Sequence, residues 1–337
     1  MSAPPAPLLE LRGLSRRFVR SPDTADRLAG LFGARPSEEI VHAVDQVDLA
    51  VHSGEVVGLV GESGCGKSTL ARLAVGLLPP SAGTRLWRGE EIAPMPAGKQ
   101  RSIRLKMQMV FQDPYASLNP RMRVADIVGE APVVHGLIDA REREDYVAQL
   151  LECVGLDATL LGRFPHQFSG GQRARIGIAR ALAVKPEFLA CDEAVAALDV
   201  SIQAQVLNLF IRLREDFKLT YLFISHDLGV VQHLSDRVLI MYLGRVLESA
   251  PVAEIYARAN HPYTQALLAE VQRLESRRRS FVPIKGEIPS PLAPPPGCHF
   301  HPRCPHAMPR CRIEQPHLRE IAPLHFSACH LNDGGSG

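Results

Sequence analysis

The sequence predicts an α/β fold with a largely parallel central sheet, followed by a small extension. Short β-rich runs recur at Val44–Val51, Val56–Val60, Met107–Phe111, Phe188–Asp192, Tyr221–Ser225 and Val238–Tyr242. Helical patterns lie between several of them, at Thr69–Gly76, Arg141–Val154, Gly171–Val184, Ile202–Phe217 and Leu228–Leu234. Strands that alternate with helices favour a parallel sheet covered by crossover helices.

The alternation of strand and helix patterns ends at about Asn260. A short helical pattern at His261–Leu274 is followed by the basic run Arg277–Arg279 and the proline-rich stretch Ile288–Gly297. Proline cannot continue a helix or a central strand, so this stretch marks a boundary. We predict a main domain over residues 1–258 and an extension over residues 259–337. The segment Ser21–Glu39 has no clear period and is predicted to be an inserted loop.

Charge and hydropathy narrow the class of protein. The 337 residues include 38 Lys and Arg against 36 Asp and Glu, a formal net charge of +2. Nucleic-acid-binding proteins usually carry a markedly basic patch, so we expect no nucleic acid partner. We find no apolar run long enough to span a membrane and no secretory signal, so we expect a cytoplasmic chain with reduced or metal-bound cysteines.

A phosphate-binding loop follows the second β-rich run. The motif consists of Gly61, Glu62, Ser63, Gly64, Cys65, Gly66, Lys67, Ser68 and Thr69, in the pattern G-x-x-x-x-G-K-S/T. The glycines let backbone N–H groups turn towards phosphates at a helix N-terminus. We expect Lys67 to neutralise phosphate charge and the Ser68 hydroxyl to ligate Mg²⁺, so the sequence predicts nucleotide binding.

An acidic pair ends another buried strand. Asp192 and Glu193 follow the apolar run Phe188-Leu189-Ala190-Cys191. Successive strand residues point to opposite faces, so the two carboxylates can have different roles. We predict that Asp192 holds the magnesium shell and that Glu193 orients or deprotonates the attacking water.

A second glycine-rich helix start identifies a family. Phe168-Ser169-Gly170-Gly171-Gln172 opens the helix that ends before the acidic strand, and such a helix start is another anion site. The segment resembles the signature motif of ATP-binding cassette (ABC) ATPases, and the resemblance covers about residues 8–258. It implies an ABC-type nucleotide-binding domain with a helical subdomain at about 113–185. It also implies that Ser169, Gly170, Gly171 and Gln172 cap the nucleotide bound to the opposite subunit.

Other positions match the family one at a time. Gln112 resembles the glutamine that senses magnesium and water and touches the membrane partner, and His226 resembles the switch histidine at the γ-phosphate. Phe18 resembles the aromatic residue that stacks on adenine, although it is as easily a packing residue. Asp199 matches the aspartate of the loop after Glu193.

That loop departs from the family pattern. Ala194 and Ala196 stand where family members usually have Pro and Ser. By this resemblance, a Ser hydroxyl at position 196 could form a hydrogen bond across the dimer, worth about 0.5–1.5 kcal/mol net, which Ala196 cannot form. We therefore expect impaired communication between the two sites rather than lost hydrolysis. For Cys65, beside a helix N-terminus, we expect a lowered thiol pKa.

Four cysteines lie in the tail. Cys298, Cys304, Cys311 and Cys329 are separated by gaps of five, six and seventeen residues, unlike the C-x₂-C pairs of zinc ribbons. Their spacing leaves an iron–sulfur cluster, a zinc ion and unligated thiols as alternatives. The tail resembles the C-terminal extension of oligopeptide, dipeptide and nickel importer ATPases, some of which carry a four-iron cluster. That resemblance favours a [4Fe–4S] cluster over zinc.

The resemblance also implies partners. Gln112–Pro120, Pro165–Phe168 and Asp199–Gln205 resemble the second of two ATPase subunits, which favours a heterodimer. The expected function is ATP hydrolysis that drives peptide uptake through two membrane permease subunits, with an extracytoplasmic solute-binding protein. The chain would then lie at the cytoplasmic face of the membrane. Alternatives are the same role for nickel or another small solute, a soluble ABC ATPase, and a regulator that does not hydrolyse ATP.

Overall fold

The computed structural model describes residues 6–20, 39–113, 115–275 and 286–334. The predicted loop Ser21–Glu39, apart from Glu39, and the basic run Arg277–Arg279 lie outside the described residues. In the described part of the chain, no helix is both long and apolar enough to cross a membrane.

The strands alternate with helices over most of the chain. The strands are β1 (Leu9–Arg20), β2 (Glu39–Val51), β3 (Val56–Val60), β4 (Ala82–Trp87), β5 (Glu90–Glu91), β6 (Met107–Val110), β7 (Phe188–Asp192), β8 (Thr220–Ile224), β9 (Arg237–Tyr242), β10 (Arg245–Pro251), β11 (Arg319–Ala322) and β12 (His325–Ser327). The helices are α1 (Lys67–Val75), α2 (Ala97–Lys106), α3 (Val124–Val134), α4 (Arg143–Cys153), α5 (Gly170–Leu182), α6 (Val200–Phe217), α7 (Leu228–Leu234), α8 (Val252–Arg258) and α9 (Pro262–Glu275).

The main sheet contains the predicted parallel core. Its described strands run in the order β11-β12-β10-β9-β3-β8-β7-β6, and the five from β9 to β6 are parallel. Every residue of β3, β7 and β8 is buried, as expected for strands covered on both faces. The prediction of an α/β fold with a parallel core is confirmed.

A smaller antiparallel sheet lies beside this core, in the order β2-β1-β4-β5. The sequence analysis missed β1, β4 and β5. The pairing of β1 with β2 shifts register between Leu11 and Leu14, between Leu14 and Arg16, and between Arg16 and Arg17. Such irregularities break the alternation of apolar and polar residues that identifies a strand.

Helices α3 and α4 lie in the interval predicted to be helical. Val128 of α3 and Val147 and Leu151 of α4 are fully buried, and they share a hydrophobic core with Ile176 of α5. The same core includes Leu189 of β7, so the helical segment packs continuously onto the main sheet.

The C-terminal extension is joined to the main sheet. Strand β12 pairs with β10, and the buried His325 contacts the buried carboxylate of Glu248 at 2.6 Å. Glu248 also accepts hydrogen bonds from the backbone N–H groups of Asn260 and His261. These buried hydrogen bonds to Glu248 anchor the extension to β10, the strand that neighbours β9.

Candidate functional site

The predicted site residues follow neighbouring parallel strands. Gln112 follows β6, Asp192 ends β7, His226 follows β8, and the phosphate loop follows β3. These strands are adjacent in the sheet, and their carboxyl ends meet at one edge. In open α/β sheets ligands bind at this edge, so the fold gathers residues that lie far apart in the chain.

The phosphate loop requires glycine at two close approaches. A Cβ atom at Gly61 would lie 2.1 Å from the Met241 carbonyl oxygen, and one at Gly66 would lie 2.0 Å from that of Ala43. Gly66 also has a φ of 108°, a conformation that favours glycine, and helix α1 begins directly after it. The loop therefore presents a helix N-terminus with no side chain at its tightest points.

Lys67 is held inside this loop. Its side chain is buried, and Nζ donates to the carbonyl oxygens of Gly61 at 2.7 Å and Glu62 at 3.0 Å. A buried ammonium needs such acceptors because burial penalises an unpaired charge. Phosphate oxygens would supply stronger, charge-assisted acceptors in the same loop.

Ser68 and Asp192 meet as the magnesium prediction requires. The Ser68 hydroxyl donates to Oδ1 of Asp192 at 2.8 Å. Burial raises the pKa of Asp192, and the bond from Ser68 partly offsets this rise. Mg²⁺ prefers oxygen ligands and is usually held by one or two carboxylates together with substrate phosphates. A hydroxyl and a carboxylate beside the phosphate loop therefore fit a magnesium ion.

Glu193 is surrounded by the other predicted groups. Gln112 donates from Nε2 to Oε2 of Glu193 at 2.7 Å, and Nδ1 of the exposed His226 lies 3.6 Å from Oε1. The backbone of Glu193 has a φ of 47° and its N–H donates to the Ile224 carbonyl oxygen at 3.1 Å. A non-glycine residue in this region is strained, and such strain is characteristic of functional positions. The structure therefore brings the Glu193 carboxylate together with the side chains of Gln112 and His226.

The signature segment forms a capped helix start. Ser169 Oγ accepts from the Gln172 N–H at 3.3 Å, and the Gln172 side chain accepts from the Ser169 N–H at 3.0 Å. A Cβ at Gly171 would lie 2.4 Å from Cγ2 of Ile202, which explains the glycine. Among the described residues, no hydrogen bond or ion pair joins Ser169–Gln172 to the phosphate loop of the same chain.

Phe18 and Asp199 lie at the periphery of these contacts. Phe18 is half-buried in β1, and the Arg16 guanidinium lies 4.7 Å from the centre of its ring. A face of the ring is therefore already covered by a cation. Asp199 is exposed and precedes α6, where its carbonyl oxygen accepts from the Gln203 N–H at 2.8 Å.

Ala196 lies in the exposed loop after Glu193, while Ala194 is buried. The Ala196 N–H donates to the Glu193 carbonyl oxygen at 3.0 Å, so this turn follows the acidic residue directly. Ala196→Ser adds one exposed hydroxyl, and we expect stability to change by less than about 0.5 kcal/mol. We expect the variant to hydrolyse ATP with greater cooperativity, measured as rate against ATP concentration. Identical hydrolysis and transport in the two proteins would contradict impaired communication.

The expectation of a lowered thiol pKa at Cys65 is wrong. Cys65 is buried, and burial raises the pKa of its thiol, although the charge of Lys67 partly offsets this rise. The thiolate is the reactive form, so a buried thiol with a raised pKa reacts slowly.

We expect alkylation of Cys65 at neutral pH to be slow in the folded protein and to abolish ATP binding once it occurs. Mass spectrometry of labelled protein, with nucleotide binding measured on the same samples, checks both statements. Full ATP binding by protein labelled stoichiometrically at Cys65 would contradict the second.

The four tail cysteines are free thiols of differing exposure. Cys298 and Cys311 are buried, whereas Cys304 and Cys329 are half-buried. The pKa of Cys298 is raised to about 11, mainly by burial and in part by the charges of the other three cysteines. The thiols thus lie within electrostatic reach of one another. In the described chain, however, no group of three or more His, Cys, Asp or Glu side chains is arranged to hold a metal ion. The donor atoms suit a soft metal, but their arrangement does not fit one.

Two residues that contact the phosphate loop were missed by the sequence analysis. Arg303 pairs with the Glu62 carboxylate, and the Tyr263 hydroxyl accepts from the Glu62 N–H. They lie 241 and 201 positions away from Glu62 in the sequence. No local pattern indicates such contacts.

Comparisons with known proteins agree with this geometry. The family model "ABC transporter" matches residues 44–196, and "Oligopeptide/dipeptide transporter, C-terminal region" matches residues 247–311. The oligopeptide transport ATP-binding protein AppF of Bacillus subtilis is 50% identical over 96% of this chain and 97% of its own length. The probable peptide ABC transporter ATP-binding protein y4tS of Sinorhizobium fredii is 48% identical over 87% of this chain and 83% of its own length.

Comparison with solved structures also finds an ATP-binding cassette. A dimeric structure of the ATP-binding cassette MJ0796, in a post-hydrolysis state bound to ADP and phosphate, matches with a TM-score of 0.61 and 26% identity. The match covers 72% of this chain and 98% of that one. The phosphate loop, the acidic strand end and the full-length similarity converge on one assignment: this chain belongs to the ATP-hydrolysing ABC transporter subunits that carry the oligopeptide/dipeptide transporter C-terminal region.

Proposed function

We propose that this chain hydrolyses ATP to drive the uptake of di- or oligopeptides through an ABC importer. The observation that carries the proposal is the 50% identity, over 96% of the chain, to an oligopeptide transport ATP-binding protein. The matched C-terminal region at residues 247–311 supports the same substrate class. We also propose residues 1–258 as the ATPase domain and residues 259–337 as the extension, although β12 pairs directly with β10 of the main sheet.

The described contacts support distinct roles for the site residues. The loop Gly61–Thr69 would bind the phosphates, with Lys67 exchanging its carbonyl acceptors for phosphate oxygens. Ser68, Asp192 and Gln112 would hold Mg²⁺, which when bound neutralises phosphate charge. Glu193, oriented by Gln112, would accept a proton from the attacking water.

Three further groups complete this scheme. His226, 3.6 Å from Glu193, would contact the γ-phosphate, and Phe18 would stack on adenine after Arg16 moves from its ring. Ser169–Gln172 and Asp199 would act on the nucleotide of the facing subunit. This role is compatible with the exposed position of Asp199.

The transport proposal requires partners. ATPase subunits of this family work with membrane permeases, so the chain would lie peripherally at the cytoplasmic face of the membrane. We propose a heterodimer with a related ATPase, two permease subunits and an extracytoplasmic binding protein that delivers the peptide. The segments Gln112–Pro120, Pro165–Phe168 and Asp199–Gln205 support the heterodimer by their resemblance to the second ATPase subunit.

Purification of the tagged chain from its native membranes tests the transport proposal. We expect permeases and a second, related ATPase to co-purify, and peptide-loaded binding protein to stimulate ATP hydrolysis. Stimulation by nickel or another small solute instead of peptide would support the alternative substrate. Recovery without any membrane protein would support a soluble ABC ATPase.

The iron–sulfur cluster remains a proposal about the tail. It rests on the four cysteines and on the resemblance of the tail to importer ATPase extensions, some of which carry a four-iron cluster, and it requires Cys298, Cys304, Cys311 and Cys329 to close around the metal. Iron, sulfide and zinc analysis of anaerobically purified protein, compared with a Cys304→Ser variant, distinguishes the alternatives. We expect iron in the wild-type protein. Zinc alone would favour the other metal, and the absence of both would favour unligated thiols.

A further inference from the structure

An arginine of the cysteine-containing tail reaches the phosphate loop. Arg303 donates from Nη1 to Oε2 of Glu62 at 2.6 Å and from Nη2 to Oε1 at 2.9 Å. The Arg303 side chain is 5% exposed and that of Glu62 is 21% exposed. Two parallel, charge-assisted hydrogen bonds fix both position and orientation, and burial strengthens them relative to a surface ion pair.

Every polar group of Glu62 is engaged. Its N–H donates to the Tyr263 hydroxyl at 3.0 Å, its carbonyl oxygen accepts from Lys67 at 3.0 Å, and its carboxylate binds Arg303. Glu62 is the first residue after Gly61 in the loop. Glu62 is therefore held by Lys67 of the same loop and by two residues, Tyr263 and Arg303, that follow the parallel strands in the sequence.

The arginine is itself supported by an aromatic cluster. Its guanidinium lies 5.8 Å from the centre of the Tyr242 ring, and Nη1 also lies 3.4 Å from the Tyr242 hydroxyl. Tyr242 packs against Tyr263 and Phe300, with ring centres 4.7 and 5.4 Å apart. Rigid neighbours of this kind preorganise a side chain for its contact.

The ion pair of Arg303 with Glu62 also changes the charge of the phosphate loop. The Glu62 carboxylate belongs to the loop that binds a highly anionic triphosphate, and an uncompensated negative charge there would oppose binding. Arg303 neutralises this carboxylate. Its removal would leave a partly buried, unpaired charge and a less ordered loop.

We propose that Arg303 is a positioning residue for ATP binding, which holds and neutralises Glu62 so that the C-terminal extension sets the affinity of the phosphate loop. The extension is thereby a structural part of the nucleotide site. This inference does not depend on the transported substrate.

Steady-state ATP hydrolysis by the assembled complex tests the proposal. We expect Arg303→Gln to raise the KM for ATP about tenfold and to change kcat less than about twofold, because Glu193 and Gln112 are untouched. Arg303→Lys keeps the positive charge but loses the two parallel hydrogen bonds of the guanidinium, so we expect an intermediate KM. Arg310→Gln is the matched control, since Arg310 lies in the same extension, is exposed and pairs with Glu314 and Asp333 instead of Glu62.

A double variant separates positioning from a general loss of structure. In Glu62→Gln/Arg303→Gln both charges are absent, so we expect the KM to return to within about threefold of the wild-type value. A wild-type KM in both Arg303→Gln and Arg303→Lys would overturn the proposal. An equal rise in KM on adding Arg303→Gln to the wild-type and Glu62→Gln backgrounds would also overturn it. If Arg303→Gln does not fold, Arg303→Lys and the double variant decide by the same criteria.

Discussion

Lys67→Ala will lower the affinity for ATP by at least about 100-fold. Hydrogen bonds to charged groups are worth about 1.5–3 kcal/mol each. Removing a lysine that donates to two phosphates should therefore weaken the binding free energy of ATP by about 3 kcal/mol or more. In the free protein Lys67 bonds the carbonyl oxygens of Gly61 and Glu62, so its removal also loosens the loop. Equilibrium binding of a fluorescent ATP analogue measures the loss.

The control is Lys99→Ala, which removes an exposed lysine that pairs with Glu90 on the surface. It should bind ATP as the wild-type protein does, because exposed ion pairs contribute little. A thermal unfolding curve for Lys67→Ala shows whether the fold is retained. Wild-type affinity in a folded Lys67→Ala variant would refute the role of the lysine.

Glu193→Gln will retain ATP binding and reduce hydrolysis about 10²- to 10⁴-fold, the usual contribution of a general base. The amide oxygen of glutamine can still accept from Gln112, which donates to Glu193 at 2.7 Å in the wild-type site. Loss of the carboxylate also removes repulsion towards the γ-phosphate. We expect ATP-bound closed dimers to accumulate, detected by size-exclusion chromatography with phosphate release measured in parallel.

Glu144→Gln serves as the comparison, since Glu144 is exposed on the first turn of α4. It should hydrolyse ATP at the wild-type rate. Turnover by Glu193→Gln within about tenfold of the wild-type rate would be too fast for the loss of a general base. Such a result would assign water activation to another group.

The site was predictable because its parts are local motifs at strand ends. Gly61–Thr69 and Asp192-Glu193 each follow a continuous apolar run, and parallel strands bring such ends to one edge. The structure indeed joins Ser68 to Asp192 and Gln112 to Glu193. The roles proposed for these residues rest on the chemistry of the groups and on the family resemblance.

Long-range and backbone features were not predictable. The register shifts between β1 and β2 interrupt the alternation of apolar and polar residues in β1. The pairing of β12 with β10 joins residues about eighty positions apart in the sequence. The ion pair of Arg303 with Glu62 has no local signal either. For Cys65 the local rule gave the wrong direction, because burial outweighs the positive charge beside it.

Uptake of a labelled peptide into proteoliposomes that contain the assembled transporter tests the central claim most directly. The wild-type complex should accumulate peptide only with ATP and the binding protein, and a complex with Glu193→Gln in this chain should accumulate much less. Equal accumulation by the Glu193→Gln complex, or ATP hydrolysis without peptide accumulation in the wild-type complex, would contradict the claim that hydrolysis at this site drives peptide import.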